Sequence, residues 1–485
     1  ACAARGARMR LRDGLMAAAV SAASIGAGAS VGREGPVVHL AATVASWLGQ
    51  RLGLDRPQLI TLLGCGVASG VAASFNAPIA GVFFALEVVV GHYGLGTFTP
   101  VVISSVIGTI ITRAHFGDFP AFVVPGLEIS TYYELPAFFL LGLICAGVAT
   151  LFVYGTLWTA RIADRVPIPR WLLPACGGLG VGIIAAVFPE VIGVGYETTD
   201  AALAGRFDLW LLVLLALAKT AASCISLGSG FAGGVFSPSL CIGALTGAAF
   251  GLVATAFVPD AQVSVSTYSL VGMGAVTGAV LGAPISTILI IFELTGDYAT
   301  TIAVMVAVTV SSLTSRQLGV QSFFVSQLTA LGVNLRRANE RATTRTVPIS
   351  SVMSDSFATV TTETAANAIY DLAGSGGKED IFVTDEAGKL AGMLPHATLR
   401  SLLFGLATDH DASAGELADD HVDRLTPSDT LDRALDLFET TDQRLIPVVE
   451  TRASGRLIGV VQREAALRAY SRALLRQRAW EHGES

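Results

Sequence analysis

Twelve apolar stretches fill the first two thirds of the chain, separated by short polar segments. They run Leu15–Val31, Val37–Leu48, Leu59–Ala73, Pro78–Gly91, Phe98–Thr112, Leu135–Ala160, Trp171–Val187, Leu209–Ser226, Val235–Val258, Ser269–Leu281, Pro284–Leu294 and Thr300–Leu318. Each reads as a helix that is apolar all round, the pattern of a buried or membrane-embedded segment. Several are too short to cross about 30 Å of hydrocarbon at about 1.5 Å per residue, so broken and tilted helices are expected. Arg113–Glu134, Arg161–Arg170 and Glu190–Asp208 gather the charges and read as loops. Lys219 alone interrupts an apolar segment in its middle, which predicts an aqueous pathway, a buried acid partner or a snorkelling side chain.

Beyond residue 340 the pattern changes to short β-rich runs. Val347–Phe404 reads strand, helix, strand, turn, strand, helix, with Ile381–Gly392 as a hairpin around Asp385–Gly388. Leu425–Tyr470 repeats it through Ile446–Val449 and Leu457–Val461, and an acidic linker, Thr408–Asp423, joins the two.

The membrane part is also a repeat. Gly32-Arg33-Glu34-Gly35-Pro36 opens the second apolar stretch, and Gly233-Gly234-Val235-Phe236-Ser237-Pro238 opens the ninth. Proline suits a first helical turn, and glycine permits close approach to a ligand. The free N–H groups and the positive dipole end there form an anion site, in which Glu34 would compete. The structural alternative is that Glu34 caps the helix or pairs with Arg33. Each motif is followed by a Gly-rich helix, an Ala-Pro pair (Ala77-Pro78, Ala283-Pro284) and a glutamate nine residues after the proline, Glu87 and Glu293. Repeated halves with helix N-termini meeting at mid-membrane are a transporter architecture.

Those motifs, with Gly228-Ser229-Gly230-Phe231-Ala232 and Glu293-Leu294-Thr295-Gly296-Asp297-Tyr298, resemble the CLC chloride channel and transporter family, in order, from Arg10 to Leu335. The tail resembles a tandem CBS-domain pair. The resemblance implies an all-α polytopic membrane domain, an inverted repeat with broken helices, over residues 1–340. An α/β pair would follow, with CBS domains at 347–405 and 415–470. It also implies that helices with a further Gly-Ser-Gly-x-Pro motif precede this segment. The expectation is therefore a chain truncated at its N-terminus, with an anion site only partly in hand. The basic start, Arg5 to Arg12, imitates a secretory signal, but the run leads directly into Gly32–Pro36.

Composition narrows the picture. The chain has 485 residues, 52% hydrophobic and 14% charged, which excludes disorder. Through Glu340 there are 16 basic and 16 acidic residues; from Arg341 there are 15 and 22, so the whole net charge of −7 lies in the soluble tail. Arg336, Arg337, Arg341 and Arg345 place that tail on the cytoplasmic side, with the plasma (inner) membrane as the expected location. The six cysteines lack metal-ligand spacing and read mostly as buried thiols. No HExxH or GKS/T pattern is present, so neither an enzyme nor a metal site is expected, and no nucleic-acid partner.

By resemblance, the amides of Val235 and Phe236 hold the anion, with Arg33, Glu34 and Gly35 facing them. Glu34 is the gating glutamate, filling an anion position when charged and swinging away when protonated. Two positions depart from the family. Aligned on Ala80–Val88, the proton-accepting glutamate of the exchangers falls on Val88, and Glu87 beside it points about 100° round an α-helix. Aligned on Gln321–Phe324, the anion-binding tyrosine falls on Phe324, which lacks the hydroxyl donor. Both favour chloride-selective, channel-like permeation gated by Glu34. Proton-coupled antiport is the alternative, and a nonconducting sensor a remote one. The implied partners are chloride, the lipid bilayer and a second copy in a homodimer. CBS pairs bind adenine nucleotide through a Thr/Ser and an Asp; those positions read Pro395 and Thr398, then Gln462 and Ala465. Both aspartates are missing, so a packing module is expected, with no cofactor and the nucleotide question left open.

Overall fold

In the computed structural model the chain packs as two units, Ala1–Leu335 and Arg336–Ser485. The described residues are 7–118, 122, 134–257, 264–330, 344, 347–369, 380–394, 398–399, 412–441 and 443–482. The basic cluster at Arg336, Arg337, Arg341 and Arg345, the start of the acidic linker and Pro395 lie outside them.

The first unit is helical. It comprises α1 (Leu11–Gly26), α2 (Glu34–Arg51), α3 (Arg56–Phe75), α4 (Pro78–Phe84), α5 (Leu95–Phe116), α6 (Leu135–Arg165) and α7 (Leu173–Val187). After these come α8 (Tyr196–Leu203), α9 (Leu209–Gly228), α10 (Phe236–Phe257), α11 (Val265–Leu281), α12 (Pro284–Thr295), α13 (Tyr298–Gln317) and α14 (Phe323–Ala330). Among the described residues six helices (α3, α5, α6, α9, α10 and α13) are long and apolar enough to cross a membrane. Among these, α3, α5, α6 and α9 run past the sequence pattern, α6 taking Arg161 to Arg165 out of the expected loop. Polar residues at their ends belong to the helix: Asp55 caps α3 through the Gln58 amide, with Gln58 returning the bond.

The two halves are built alike. Packed pairs α2–α3 and α10–α11 have helix backbones in close contact. A Cβ on Gly66 would stand 2.6 Å from the Ala41 carbonyl oxygen, and one on Gly247 2.2 Å from that of Tyr268. Small residues are therefore required at these crossings, as is common between membrane helices. Each Gly-rich helix then ends in a left-handed residue, Asn76 (φ 56°) or Gly282 (φ 69°), before the Ala-Pro pair restarts a shorter helix.

Two expectations need correction here. Pro78–Gly91 is not one regular helix, because α4 passes at Ala85 into a π-helical turn that runs to Val90. The Glu190–Asp208 stretch is not only loop, since it contains α8. The thiols divide as well: Cys65, Cys145, Cys224 and Cys241 are buried, whereas Cys176 on α7 is exposed.

The second unit is two copies of one α/β motif. β1 (Ala358–Thr361) lies parallel to β2 (Ile381–Thr384), which pairs antiparallel with β3 (Leu390–Leu394). β4 (Leu445–Val449) pairs antiparallel with β5 (Leu457–Gln462), and Leu425 adds a parallel bridge at Val448. The hairpin turn falls at Asp385–Gly388, with Gly388 at φ 76°. Leu390 donates to the Gly455 carbonyl (2.9 Å) and Leu457 to that of Gly388 (3.0 Å), tying the two copies together. α15 (Ala414–Leu417) packs on the first sheet, and α16 (Leu431–Thr440) and α17 (Arg463–His482) lie against the second.

Candidate anion site between two helix N-termini

The two glycine motifs, about two hundred residues apart in sequence, meet as an antiparallel bridge. Gly32 donates to the Gly234 carbonyl and Gly234 to that of Gly32, both at 2.7 Å. Only glycine fits. A Cβ on Gly35 would lie 2.9 Å from the Gly234 Cα, and one on Gly233 2.4 Å from the Val31 Cβ. The bridge sets the start of α2 beside the start of α10. Their first N–H groups have no carbonyl one turn earlier in the helix to accept them.

Glu34 fills that space. It is the first residue of α2 and 2% exposed. Its Oε1 accepts a 2.5 Å bond from the Tyr196 hydroxyl, while Oε2 has no hydrogen-bond partner. A Cβ on Gly32 would stand 2.8 Å from Oε2 and 3.1 Å from the Ser237 amide nitrogen. The orphaned carboxylate oxygen and an amide of α10's first turn thus border one small volume. Arg33 approaches Oε1 loosely, at 3.8 Å, and its guanidinium stacks 4.9 Å from the Tyr196 ring. Val235 and Phe236 are buried at the head of α10, the helix itself starting at Phe236, and the Phe236 ring packs 4.8 Å from Phe75.

The site brings together Arg33, Glu34, Gly35, Val235 and Phe236. Val88 and Phe324 stand differently. Val88 sits in the π-helical turn and packs on the core of the unit. Phe324, at the start of α14, is 37% exposed with its ring edge-on to Phe323, where Glu34 is sealed from solvent.

Glu87 is not pointed idly away from Val88. It accepts the amides of Ile285 (3.2 Å) and Ser286 (2.9 Å), with the Ser286 hydroxyl, at the start of α12. Glu293 accepts those of Ile79 (2.9 Å) and Ala80 (2.7 Å) at the start of α4. Each half's glutamate therefore caps the other half's Ala-Pro helix. The pattern of a glutamate nine residues after a proline encodes a reciprocal, antiparallel pair.

Lys219 is 1% exposed, which removes the snorkelling reading. Its Nζ donates to the carbonyls of Val191 and Gly193, both at 2.9 Å, so backbone rather than an acid receives it. These bonds hold the segment that ends at Gly195 (φ 92°) and delivers Tyr196 to Glu34. Tyr196 is the site residue that the sequence reading missed. The available signal was Gly193-Val194-Gly195 before Tyr196-Glu197-Thr198-Thr199, a left-handed turn into a helix start.

Comparison with known proteins bears on the family. A family model described as voltage gated chloride channel matches residues 1–316, and a CBS domain model matches 414–472. The chloride channel protein CLC-f of Arabidopsis thaliana is 35% identical over 308 residues, 59% of this chain and 39% of that protein. The H(+)/Cl(-) exchange transporter ClcA of Cronobacter sakazakii is 32% identical over 309 residues, 61% of this chain and 65% of that one. The chain thus spans less than two thirds of the length of both. A crystal structure of a slow cyanobacterial Cl-/H+ antiporter shares the fold with a TM-score of 0.57 at 23% identity, covering 63% of this chain and 72% of that one. With six spanning helices and that match, this chain is a multi-pass membrane protein of the CLC family of anion transport proteins, with a CBS domain in its C-terminal unit.

Proposed function

We propose that this chain moves chloride across its membrane in exchange for protons, with Glu34 as the group that links the two. One observation carries the reading: a buried carboxylate occupies a space bordered by the Tyr196 hydroxyl and by an amide in the first turn of α10, with one of its oxygens unpartnered. Aligned N–H donors suit an anion that must shed water and leave again, because they supply partial rather than full countercharge. While Glu34 is ionised it is the occupant. An incoming chloride competes with it, and protonation removes the reason for the carboxylate to stay. Anion entry and proton uptake are then opposite sides of one exchange.

Channel-like permeation, expected from Val88 and Phe324, is the second reading, favoured by the apolar side chain at the inner proton position. The similarity to a protein named as an H(+)/Cl(-) exchange transporter supports exchange instead. A proton route past Val88 then runs through water. The α/β tail serves as a packing module on the cytoplasmic side, and the protein acts as a homodimer.

The test is Glu34→Gln in liposomes, with chloride and internal pH recorded together. Chloride flux should persist, lose its pH dependence and move no protons. Flux with unchanged pH dependence would reduce Glu34 to a helix cap.

A further inference from the structure

The Tyr196 hydroxyl sits where any occupant of this space must meet it. We propose that Tyr196 is a shared donor: it holds the Glu34 carboxylate while the gate is seated, and donates to the anion once Glu34 has left. The inference rests on the reading of Glu34 as the displaced occupant, and it names the side chain that recognises both.

Three observations carry it. The hydroxyl lies 2.5 Å from Glu34 Oε1, so an anion replacing that oxygen finds the same O–H already aimed. The ring is fixed and need not move when the carboxylate does: it is edge-on to Phe122 at 5.3 Å and lies under the Arg33 guanidinium at 4.9 Å. Behind it, Lys219 secures the Val191 and Gly193 carbonyls. Finally, the neutral alternative is weak. The buried Ser237 hydroxyl adjoins the Tyr196 hydroxyl, but a bond to a charged acceptor is about twice as strong as one between neutral groups. An empty seat would leave the tyrosine only that serine, and an arriving anion restores the stronger bond.

The charged and titratable groups around Glu34 are Arg33 on its own helix and Tyr196 on α8. Farther back, beside Gly195, are Lys219 on α9 and Cys241 on α10. Among the described residues only Tyr196 donates to the carboxylate at hydrogen-bond distance, so removing its hydroxyl should act on the gate and on the anion separately.

Tyr196→Phe tests this in the full chain, because phenylalanine keeps the ring contacts with Phe122 and Arg33. In the Glu34→Gln background, chloride titration by calorimetry at constant ionic strength should weaken by about tenfold, the loss of one hydrogen bond to a charged group. With Glu34 intact, the pH profile of flux should shift, since the seated carboxylate has lost the hydroxyl that holds it. Unchanged chloride affinity together with a superimposable pH profile would overturn the proposal. Calorimetry makes the two readings separable: weaker chloride binding on loss of the hydroxyl, alongside a protein with Glu34 intact that moves no protons, would sink the exchange reading and leave Tyr196 as the anion's donor.

Discussion

Glu87→Ala should unseat α12 from α4, and the structure sets the size of the effect. The substitution strips the acceptor from two amides and a hydroxyl at the start of α12. The Ile285 amide is near the surface and can turn to solvent, but Ser286 is buried. One buried unsatisfied donor costs about 1–3 kcal/mol, and loss of a negative charge at a helix N-terminus about 0.3–1 kcal/mol more. The expected loss is therefore about 1.3–4 kcal/mol. The helical unit, Ala1–Leu335, should show it as a fall of roughly 2–6 °C in thermal midpoint in detergent. Glu293→Ala should cost slightly less, having no hydroxyl partner corresponding to Ser286. The two caps share no partner, so the double variant should add to within about 0.5 kcal/mol. A Glu87→Ala protein with the wild-type midpoint, or equal recovery by Glu87→Gln, would refute the reciprocal charged caps.

Gly234→Ala should overpack the motif bridge by about 1–3 kcal/mol and depress anion flux, because the new Cβ meets the Gly35 amide nitrogen at 2.8 Å, backbone that cannot rotate away. Gly182→Ala on α7, where a Cβ meets nothing within 4 Å, should leave flux intact with the midpoint equal or slightly raised, and serves as its control. Lys219→Met strands the Val191 and Gly193 carbonyls and should lower stability by about 1–3 kcal/mol while shifting the pH profile of flux with Tyr196, measured by the same vesicle assay. A stable Lys219→Met protein with an unshifted profile would mean that Lys219 does not position Tyr196.

What the sequence made legible, and what it hid, follows from the range of each interaction. Both anion motifs were visible because their local requirements, glycine for close approach and proline for a first turn, are written in adjacent residues. The paired glutamates were visible as a repeat, but their targets were not. Glu87 meets Ser286 across 199 residues, and its partners are amides, which every residue but proline carries. Lys219 hid its partners for the same reason, since a backbone carbonyl leaves no trace in composition. Tyr196 was lost inside a charged stretch, Glu190 to Asp208, whose polarity outweighed the turn-and-helix signal of eight residues. The π-helical turn at Ala85–Val90 is a tertiary outcome: its apolar residues suit a regular helix equally well.

The central claim is that anion and proton move against one another through Glu34, and a reversal potential measures it directly. The protein is placed in a planar bilayer with chloride held asymmetric, and a pH gradient is then imposed at constant chloride. Exchange predicts that the reversal potential shifts reproducibly with the pH gradient, and that the shift vanishes in Glu34→Gln. A reversal potential that follows chloride alone, indifferent to the pH gradient in the unmodified protein, would contradict exchange and return the protein to channel-like permeation.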